Sequence, residues 1–372
     1  METIHTDVAV IGGGIAGVSA AAQIASTHSV VLLEQESELA YHTTSRSAAV
    51  YIENEGGPVF HRLATASRQF WDTSPGSETP LVTPMPVLKV GDATMADALR
   101  DEVREAQRVT PSIQFVEGAD LVDLCPVLNP EIVSVGMLED TAGSIDVMGT
   151  HQLFLREARR NGTDVWRSAR LVEAVRTDGF WQLATEAGPL QARVVVNAAG
   201  AWGDVVAESS GVSPLGLAPK RRTAFTAPVT HDPDGWPFIY SGIPDLECYF
   251  KAEAGNQLLC SLSDEAPSEA CDAKPEELDI ALAIDRINTI STLGIRSVNT
   301  TWAGLRTFAP DRNPVFGWDD NVDGFLWMVG QGGCGIVTSP IAGEIAAALI
   351  REDPLPQEAT DLGLTKAQLA PR

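Results

Sequence analysis

The sequence has no long hydrophobic run, few lysines and no closely spaced cysteine pair. No stretch reaches the ~18 to 20 uninterrupted apolar residues of a membrane span, so we expect none. The first strand pattern begins close to the N-terminus, without a basic start or a cleavage site, which favours a cytoplasmic protein. The five cysteines are odd in number and form no Cys-x-x-Cys pair. We therefore expect neither a disulfide framework nor a metal site.

Positive charge is scarce. Fifty residues are Asp or Glu and 26 are Lys or Arg, which gives a formal net charge of -24 over 372 residues. A surface of this sign repels nucleic acid and anionic membranes, so we expect neither as a partner. An acid excess with few lysines fits a salt-adapted protein, a GC-rich source or plain solubility, and the sequence does not decide between them.

The strongest motif occupies residues 7–34. An apolar run (7–11) precedes a glycine turn (12–17), a small-residue helix follows, and a second apolar run (29–33) ends on Glu34. Strand, turn, helix, strand and acid at this spacing are typical of a dinucleotide-binding βαβ unit. The alternative is a glycine-rich turn in an ordinary α/β protein, and the acid argues against it.

Each motif position has a chemical reason. Gly12 allows the tight turn, Gly14 lets a pyrophosphate approach the backbone, and Gly17 lets helix and strand pack closely. The helix N-terminus offers N–H groups and a positive dipole end to phosphates. Glu34 is placed to accept hydrogen bonds from ribose hydroxyls.

Three later segments also suggest ligand contacts. Residues 43–49 pass from polar to small apolar side chains, which predicts a helix start with Ser45 and Arg46 at its mouth. That helix would direct N–H groups at the cofactor, or else would be an N-capped surface helix. An apolar strand runs into the small-residue turn 197–202, and another runs into the glycine turn 330–335 before a long helix.

These patterns predict an α/β fold with two domains. Prolines between residues 214 and 300 separate short β-rich runs, as in an antiparallel sheet. We assign residues 1–80, 145–213 and 300–372 to a discontinuous dinucleotide-binding domain. Residues 81–144 and 214–299 are assigned to an inserted substrate domain.

Four segments together resemble the D-amino-acid oxidase family of FAD-dependent oxidoreductases: residues 12–34, 43–49, 197–202 and 330–339. Within that family, the likeness is greatest to bacterial D-arginine dehydrogenases and their neighbours. It is carried by the stretches 41–49, 219–222, 301–306 and 331–333. The resemblance implies a Rossmann-like FAD-binding domain of the glutathione-reductase type and non-covalent FAD. It also implies an amino acid or amine substrate, with oxygen or a quinone as electron acceptor.

The resemblance also assigns the cofactor contacts. The first turn would hold the pyrophosphate, Glu34 the ribose, the backbone near Leu171 the adenine, and the second glycine turn the flavin ring. The helix after that turn would direct its positive end at flavin N1 and C2=O, which raises the flavin potential. The residues implied are Gly12, Gly14, Ile15, Ala16, Gly17, Glu34, Thr44, Ser45, Arg46, Ser47, Ala48, Ala49, Leu171, Ala199, Gly200, Trp202, Arg306, Gly332, Gly333, Cys334, Gly335, Ile336, Val337 and Thr338.

Four residues match positions of the family that face the substrate. Arg306 is the first candidate for a bidentate clamp on a substrate carboxylate, because a planar guanidinium fits a carboxylate. Arg222 also matches an arginine facing the flavin, and Tyr249 matches a tyrosine that shares the carboxylate. The carbonyl of Gly332 could accept from the substrate amine. For both arginines, a surface ion pair is the alternative.

The departures from the D-arginine pattern concern the side-chain pocket. Positions that carry a histidine and an acid in those relatives are Val50 and Val87 here, and a tyrosine position is Glu55. A guanidinium facing two valines would lie unpaired against an apolar wall, at a cost of roughly several kcal/mol. We therefore expect a neutral or apolar substrate side chain in a pocket lined by Val50, Ile52, Glu55 and Val87. Glu55 could still recover a cation at the pocket mouth.

The reaction implied by the resemblance is hydride transfer from Cα of an amino acid, with D handedness, to flavin N5. The imino acid then hydrolyses to a 2-oxo acid and ammonia. No base is required if the amine arrives neutral, so we interpret His42 and His231 as structural. The alternatives are a secondary-amine enzyme for sarcosine, N-methyl or cyclic amino acids, a 2-hydroxy-acid dehydrogenase, and a non-catalytic FAD-binding subunit.

Overall fold

A computed structural model of the chain describes residues 3–230 and 232–372. His231, one of the two histidines considered above, lies outside the described residues. The strands, numbered in chain order, are β1 (Ile4–Ile11), β2 (Val30–Leu33), β3 (Val50–Tyr51), β4 (Val82–Pro84), β5 (Val87–Gly91), β6 (Gln114–Glu117), β7 (Val135–Glu139), β8 (Gly143–Ile145), β9 (Asp164–Trp166), β10 (Leu171–Thr177), β11 (Phe180–Thr185), β12 (Gly188–Asn197), β13 (Ala218–Pro228), β14 (Phe238–Ser241), β15 (Cys248–Glu253), β16 (Gln257–Ser261), β17 (Ala266–Pro267), β18 (Thr300–Phe308), β19 (Val315–Trp318), β20 (Phe325–Val329) and β21 (Gln331–Gly332).

The α-helices of the same residues are α1 (Ile15–Ile24), α2 (Pro58–Ala66), α3 (Arg68–Thr73), α4 (Ala96–Ala106), α5 (Ala119–Leu124), α6 (Val147–Arg160), α7 (Gly203–Ser209), α8 (Glu277–Ile290), α9 (Ser339–Ile350), α10 (Gln357–Asp361) and α11 (Lys366–Leu369). Short 3-10 turns precede α4 and α7.

The first sheet has eight strands, with β1 near its centre. Its order is β10-β11-β12-β1-β2-β9, and β20 joins it beside β12 with β19 at its side. The pairs β1–β2, β1–β12, β2–β9 and β12–β20 are parallel, whereas β10, β11 and β12 form an antiparallel meander. The apolar runs of β1, β2 and β20 are buried because both faces of the sheet are covered.

Helices cover the two faces of this sheet. Val8 and Val10 of β1 face a core shared with α1, α6 and α9, while Ala9 and Ile11 face a second core that includes α7. Small residues let α1 and α9 approach closely: a Cβ on Gly343 would lie 2.6 Å from the carbonyl oxygen of Ser19. This close packing fixes the start of α1 below the glycine turn.

The second sheet has ten strands in the order β21-β18-β13-β16-β15-β14-β5-β7-β6, with β17 beside β13. Every pair is antiparallel except β14–β5, which is parallel. One face packs on α8, and the other carries an apolar cluster that includes Val87, Tyr249 and Trp302. A small third sheet, β3-β8-β4, lies beside that cluster.

The α/β fold with a largely antiparallel second sheet agrees with the sequence-based expectation. The proposed domain boundaries stay a prediction. The boundary at residue 300 places β18 with the dinucleotide-binding part, although β18 is hydrogen-bonded to β13 along nine registered pairs within the second sheet.

Within the described residues, no helix is long and apolar enough to cross a membrane. None of the five cysteines forms a disulfide; Cys271 is exposed and the other four are buried.

Candidate functional site

The first glycine turn has the geometry that the motif predicts. Gly12 has a φ of +110°, and a Cβ there would lie 2.5 Å from the carbonyl oxygen of Ala198. A Cβ on Gly17 would overlap the carbonyl oxygen of Gly12, so only glycine lets α1 follow β1 this closely. Gly14 is different, because its hypothetical Cβ approaches only the Thr44 hydroxyl, at 3.1 Å. Its other surroundings are open, and it lines a cavity.

Side chains from distant segments hold the start of α1. The Ile15 N–H donates to Thr44 Oγ1 at 3.0 Å, which supplies the cap that Gly14 lacks. The carbonyl of Gly13 accepts from the buried His151 Nε2 at 2.9 Å. Burial lowers the pKa of His151, so the ring stays neutral and serves as a fixed donor. The sequence pattern gave no signal for His151, because it lies 138 residues from the turn.

Glu34 closes the motif at the end of β2. Its carboxylate is 8% exposed and accepts from the Gly13 N–H at 2.8 Å and the Glu36 N–H at 2.9 Å. Burial raises the pKa of Glu34, although these two hydrogen bonds oppose the shift. The carboxylate therefore fixes the turn while bordering the cavity.

A cavity of about 460 Å³ lies where these elements meet. Its wall is formed by the carboxyl ends of β1, β2 and β12, the start of α1, the starts of β10 and α7, and segments of β18 and β21. Sequence-predicted cofactor residues that line it are Gly12, Gly14, Ile15, Ala16, Glu34, Thr44, Ser47, Leu171, Ala199, Gly200, Trp202, Gly332, Gly333, Gly335 and Ile336. Such a volume is typical of small-molecule sites.

The predicted helix at residues 43–49 is wrong: the segment is a series of turns followed by an extended stretch. Its polar side chains bond elsewhere instead of continuing a helix, since Thr43 Oγ1 donates to the Leu305 carbonyl and Thr44 caps α1. Ser45 is exposed, and its hydroxyl donates to backbone carbonyls of the same turn. The segment still borders the cavity, through Thr43, Thr44 and Ser47.

The Arg46 guanidinium does not face this cavity. It donates to the Ala273 and Ala303 carbonyls and forms an ion pair of 2.6 Å with Asp272. Ala48 and Ala49 lie on the far side of the turn and line a separate, polar cavity beside Lys251. The contact predicted for Arg46 therefore involves its backbone at most, since the side chain joins two segments of the protein.

The second glycine turn approaches the cavity from the opposite sheet. Gly332 has a φ of +54°, and a Cβ there would overlap the Phe308 ring. The long helix predicted after this turn, α9, begins at Ser339. Cys334, Val337 and Thr338 do not line the cavity, and the Val337 carbonyl accepts from Trp71 Nε1 at 2.9 Å.

Several cavity residues were not predicted. Thr307 lies on β18, and its buried hydroxyl has no hydrogen-bond partner within the described residues. His42 lines the cavity with one ring nitrogen held 3.0 Å from Glu36 and its ring 4.5 Å from Trp202. Further lining residues that were not predicted include Gln35, Ala40, Val172, Val205, Ser209, Leu305 and Gln331. Their positions depend on which strands become neighbours, which local patterns do not encode.

Arg306 and Arg222 lie close together on the second sheet. Arg222 of β13 lies opposite Gly304 of β18, and Gly304 is two residues before Arg306. The side chains of Arg222 and Arg306 therefore project from the same face of the sheet. The Arg306 guanidinium lies against Gly333 and has no hydrogen bond or ion pair within the described part of the chain. Arg222 Nε instead donates to the Asp264 carbonyl at 2.7 Å. Burial, followed by the charge of Arg306, lowers the pKa of Arg222.

An apolar cluster adjoins the two arginines. Tyr249 is 4% exposed, stacks on Phe238 at 5.2 Å, and lies with its ring 5.9 Å below the Arg222 guanidinium. Val87, Val50 and Ile52 pack in the same cluster. The structure thus brings three of the four predicted pocket residues together with Tyr249. The fourth, Glu55, has an exposed side chain.

Comparisons with known proteins place these features in a family. The family model of FAD dependent oxidoreductases, DAO, matches residues 7–349. The chain is similar to glycine oxidase from Bacillus licheniformis, with 22% identity covering 95% of both chains. It is also similar to the hydrogen cyanide synthase subunit HcnC of Pseudomonas aeruginosa, with 28% identity over 58% of this chain. That match spans only about half of the relative, 52% of its length.

Solved structures agree at the level of fold. The crystal structure of glycine oxidase from Geobacillus kaustophilus superposes with a TM-score of 0.84, at 17% sequence identity, over 100% of this chain and 99% of that one. At this identity the likeness concerns the fold alone.

The cavity described above suits the cofactor of this family. Glycines border it in both turns, a helix start faces it, Glu34 lies at the end of β2, and the unpartnered Thr307 hydroxyl is available to a ligand. These features are the ones that a flavin adenine dinucleotide requires of a protein. The chain belongs to the DAO family of FAD-dependent oxidoreductases.

Proposed function

We propose that this enzyme oxidises the C–N bond of an amino acid with a neutral or apolar side chain, in the D configuration. The product is an imino acid, which hydrolyses in water to a 2-oxo acid and ammonia. The family supports an FAD-dependent amino acid or amine oxidoreductase. The choice of side chain rests on the residues of the second sheet.

The observation that carries the proposal is the pairing of Arg306 with the apolar cluster. Arg306 is half-buried and forms no hydrogen bond or ion pair among the described residues, in a protein with 50 acids. A guanidinium kept free in this way is suited to a carboxylate ligand. Trp302, four residues earlier on the same face of β18, belongs to the cluster with Val87 and Tyr249. A ligand on Arg306 can therefore extend an apolar side chain towards these residues.

The residues divide the work of binding and orientation. Arg306 binds the carboxylate with two parallel N–H donors, and the nearby charge of Arg222 adds to the positive potential. Tyr249 supports Arg222 from below and forms part of the pocket wall. The Gly332 carbonyl is proposed to accept from the substrate amine. When bound, FAD supplies the two-electron acceptor that none of these side chains provides.

The apolar wall argues against a cationic substrate. Val87 is 8% exposed, and its neighbours Phe238 and Leu259 offer no acceptor for a guanidinium. The acid opposite it, Glu139, already accepts from the Glu53 backbone N–H. An unpaired cation at that wall would lose its hydration without compensation. We therefore expect D-leucine or D-phenylalanine to be better substrates than D-arginine. A kcat/KM for D-arginine equal to or above that for D-leucine contradicts this preference.

A secondary amine, such as sarcosine or a cyclic amino acid, is the alternative substrate class. A subunit without turnover is a further alternative, since HcnC is a subunit of a larger enzyme. The free Arg306 supports a working carboxylate site over an inert one.

We propose oxygen or a quinone as the electron acceptor. We also propose non-covalent FAD, because burial raises the pKa of the Cys334 thiol to about 12 and keeps it unreactive.

Substitution of the clamp tests the proposal. Arg306→Ala is expected to raise KM for amino acids by about 100-fold or more, because a charge-assisted bidentate contact is lost. Arg296→Ala, at an exposed arginine, serves as the control and is expected to leave KM within about twofold. An unchanged KM in Arg306→Ala would remove the clamp role.

A further inference from the structure

A short segment, residues 50–55, runs from the third sheet to the second glycine turn, and we call it the strap. It begins as β3, where Val50 pairs with Ser144 of β8. Val50 and Ile52 pack against the apolar cluster, so the strap forms part of the pocket wall. At its end, the Glu55 carbonyl lies 4.0 Å from Cys334 Sγ in the second glycine turn. Any shift of the strap therefore moves the pocket wall relative to that turn.

A buried acid holds the middle of the strap. Glu139, the last residue of β7, is 3% exposed, and its Oε1 accepts from the backbone N–H of Glu53 at 3.0 Å. Glu139 lies directly opposite Val87 on β5, so both side chains project from the same face of the sheet. The acid is thus placed beneath the pocket wall, next to the residue expected to set side-chain preference.

The polar groups around Glu139 contain more acid than cation. The Glu53 carboxylate accepts from Tyr51 Oη at 2.8 Å, Arg68 Nη1 at 2.9 Å and Thr110 Oγ1 at 2.8 Å. Arg68 pairs with Glu53 and with the exposed Asp72, and Glu139 forms no ion pair within the described residues. A buried acid without a cationic partner adds little to stability, because no ion pair offsets the free-energy cost of removing it from water. Its hydrogen bond to the strap backbone gives it a different role.

We propose that Glu139 is a positioning residue for the substrate pocket: by accepting from the Glu53 N–H, it fixes the strap and with it the wall formed by Val50 and Ile52. The inference rests on the proposed function, since it takes this wall as the substrate pocket. An acceptor oxygen is the property required, and a negative charge is not. Replacements that keep or remove that oxygen therefore separate positioning from mere packing.

The test compares four variants of the FAD-loaded protein. Glu139→Gln keeps an acceptor oxygen, whereas Glu139→Met and Glu139→Leu fill the space without one. Asp140→Asn, at the exposed neighbouring acid, is the matched control. The probe is benzoate, which offers a carboxylate to Arg306 and an apolar ring to the cluster. Its dissociation constant is measured from the change in flavin absorbance, and hydrogen exchange of the strap amides is measured by mass spectrometry.

Positioning by Glu139 predicts a specific pattern. Glu139→Met and Glu139→Leu should weaken benzoate about tenfold and speed exchange of the strap amides, because the Glu53 N–H loses its partner. Glu139→Gln and Asp140→Asn should stay within about twofold of the parent in both measurements. Thermal unfolding of each variant, with exchange elsewhere in the chain, verifies that the fold is retained.

Two outcomes overturn the inference. If the acceptor-free variants match Asp140→Asn in strap exchange and affinity, Glu139 does not position the strap. If Glu139→Gln is as impaired as Glu139→Met, the charge matters instead of the acceptor. Failure of the parent protein to bind benzoate would contradict the proposed carboxylate site, and strap exchange alone would then decide the role of Glu139.

Discussion

At the scale of single residues, the two arginines have unequal roles although they lie close together. Arg222 is anchored by the Asp264 carbonyl, lies over Tyr249 and forms ion pairs of 3.9 Å, whereas Arg306 forms no hydrogen bond or ion pair within the described residues. Burial lowers the pKa of Arg222, and the repulsion between the two neighbouring guanidinium groups lowers it further. An anion that binds at Arg306 relieves part of that repulsion. The arrangement therefore favours a ligand with a carboxylate over a neutral one.

Side-chain preference is expected to change with one residue of the wall. Val87→Glu places a carboxylate beside Tyr249 and Phe238, where a cationic substrate side chain can compensate it. The ratio of kcat/KM for D-arginine to that for D-leucine should rise at least about tenfold. Val87→Leu, which keeps the wall apolar, should leave D-leucine the better substrate. If the ratio is unchanged in Val87→Glu, Val87 is not part of the side-chain pocket.

At the scale of elements, the first βαβ unit was predictable because its constraints are local. Within this one contiguous motif Gly17 lies against Gly12 and Glu34 accepts from Gly13, although Gly12 also lies against Ala198. The turn at residues 43–49 was not predictable, because its conformation is decided by partners far along the chain. The Thr43 hydroxyl donates to a carbonyl 262 residues away. Local composition indicated a helix start, and these distant hydrogen bonds override it.

The close contact of β1 with α1 predicts a strong effect of one methyl group. In Gly17→Ala, the added Cβ overlaps the Gly12 carbonyl and must push α1 away from the turn. The purified variant is expected to lose most of its FAD and about 1–3 kcal/mol of stability. Gly57→Ala, whose Cβ would have its nearest neighbour at 3.9 Å, is the matched control and should retain FAD. Full FAD occupancy in Gly17→Ala would contradict the role given to this contact.

At the scale of the whole molecule, the sequence predicted the two kinds of sheet but not how strands from distant segments combine. β5 comes from the first predicted part of the substrate domain and pairs in parallel with β14 from the second. β18 was assigned to the other domain and lies in the same sheet, where it brings Arg306 near Arg222. The buried position of Glu139 depends on the same assembly, so composition alone gave no indication of it.

The buried Glu139 is expected to affect the stability of the entire fold. Burial raises its pKa from 4.5 to about 7, and the charge of Glu53 adds to this shift. The hydrogen bonds from the Glu53 N–H and Asn54 oppose it, as does the charge of Arg68. Between these values the folded protein holds a proton that the unfolded chain has released. The free energy of unfolding should therefore fall as pH rises through this window, by about 3 kcal/mol at most from this group.

Urea unfolding of the FAD-loaded protein at pH values from about 4.5 to 8 measures this effect. The difference in stability between the parent and Glu139→Gln should change with pH in the stated direction and level off above pH ~7. Asp140→Asn should show no comparable change, because that acid is exposed. A constant difference between the parent and Glu139→Gln across the range would mean that Glu139 titrates normally.

The central claim is that Arg306 and the apolar cluster bind an amino acid for oxidation by FAD. Anaerobic titration of the purified yellow protein with D- and L-amino acids, sarcosine, proline and 2-hydroxy acids tests it most directly. We expect neutral or apolar D-amino acids to bleach the flavin band near ~450 nm at the lowest concentrations, because reduction removes that absorbance. Readmission of air then separates an oxidase from a dehydrogenase. Bleaching by 2-hydroxy acids alone, or by no member of the panel, would contradict the account.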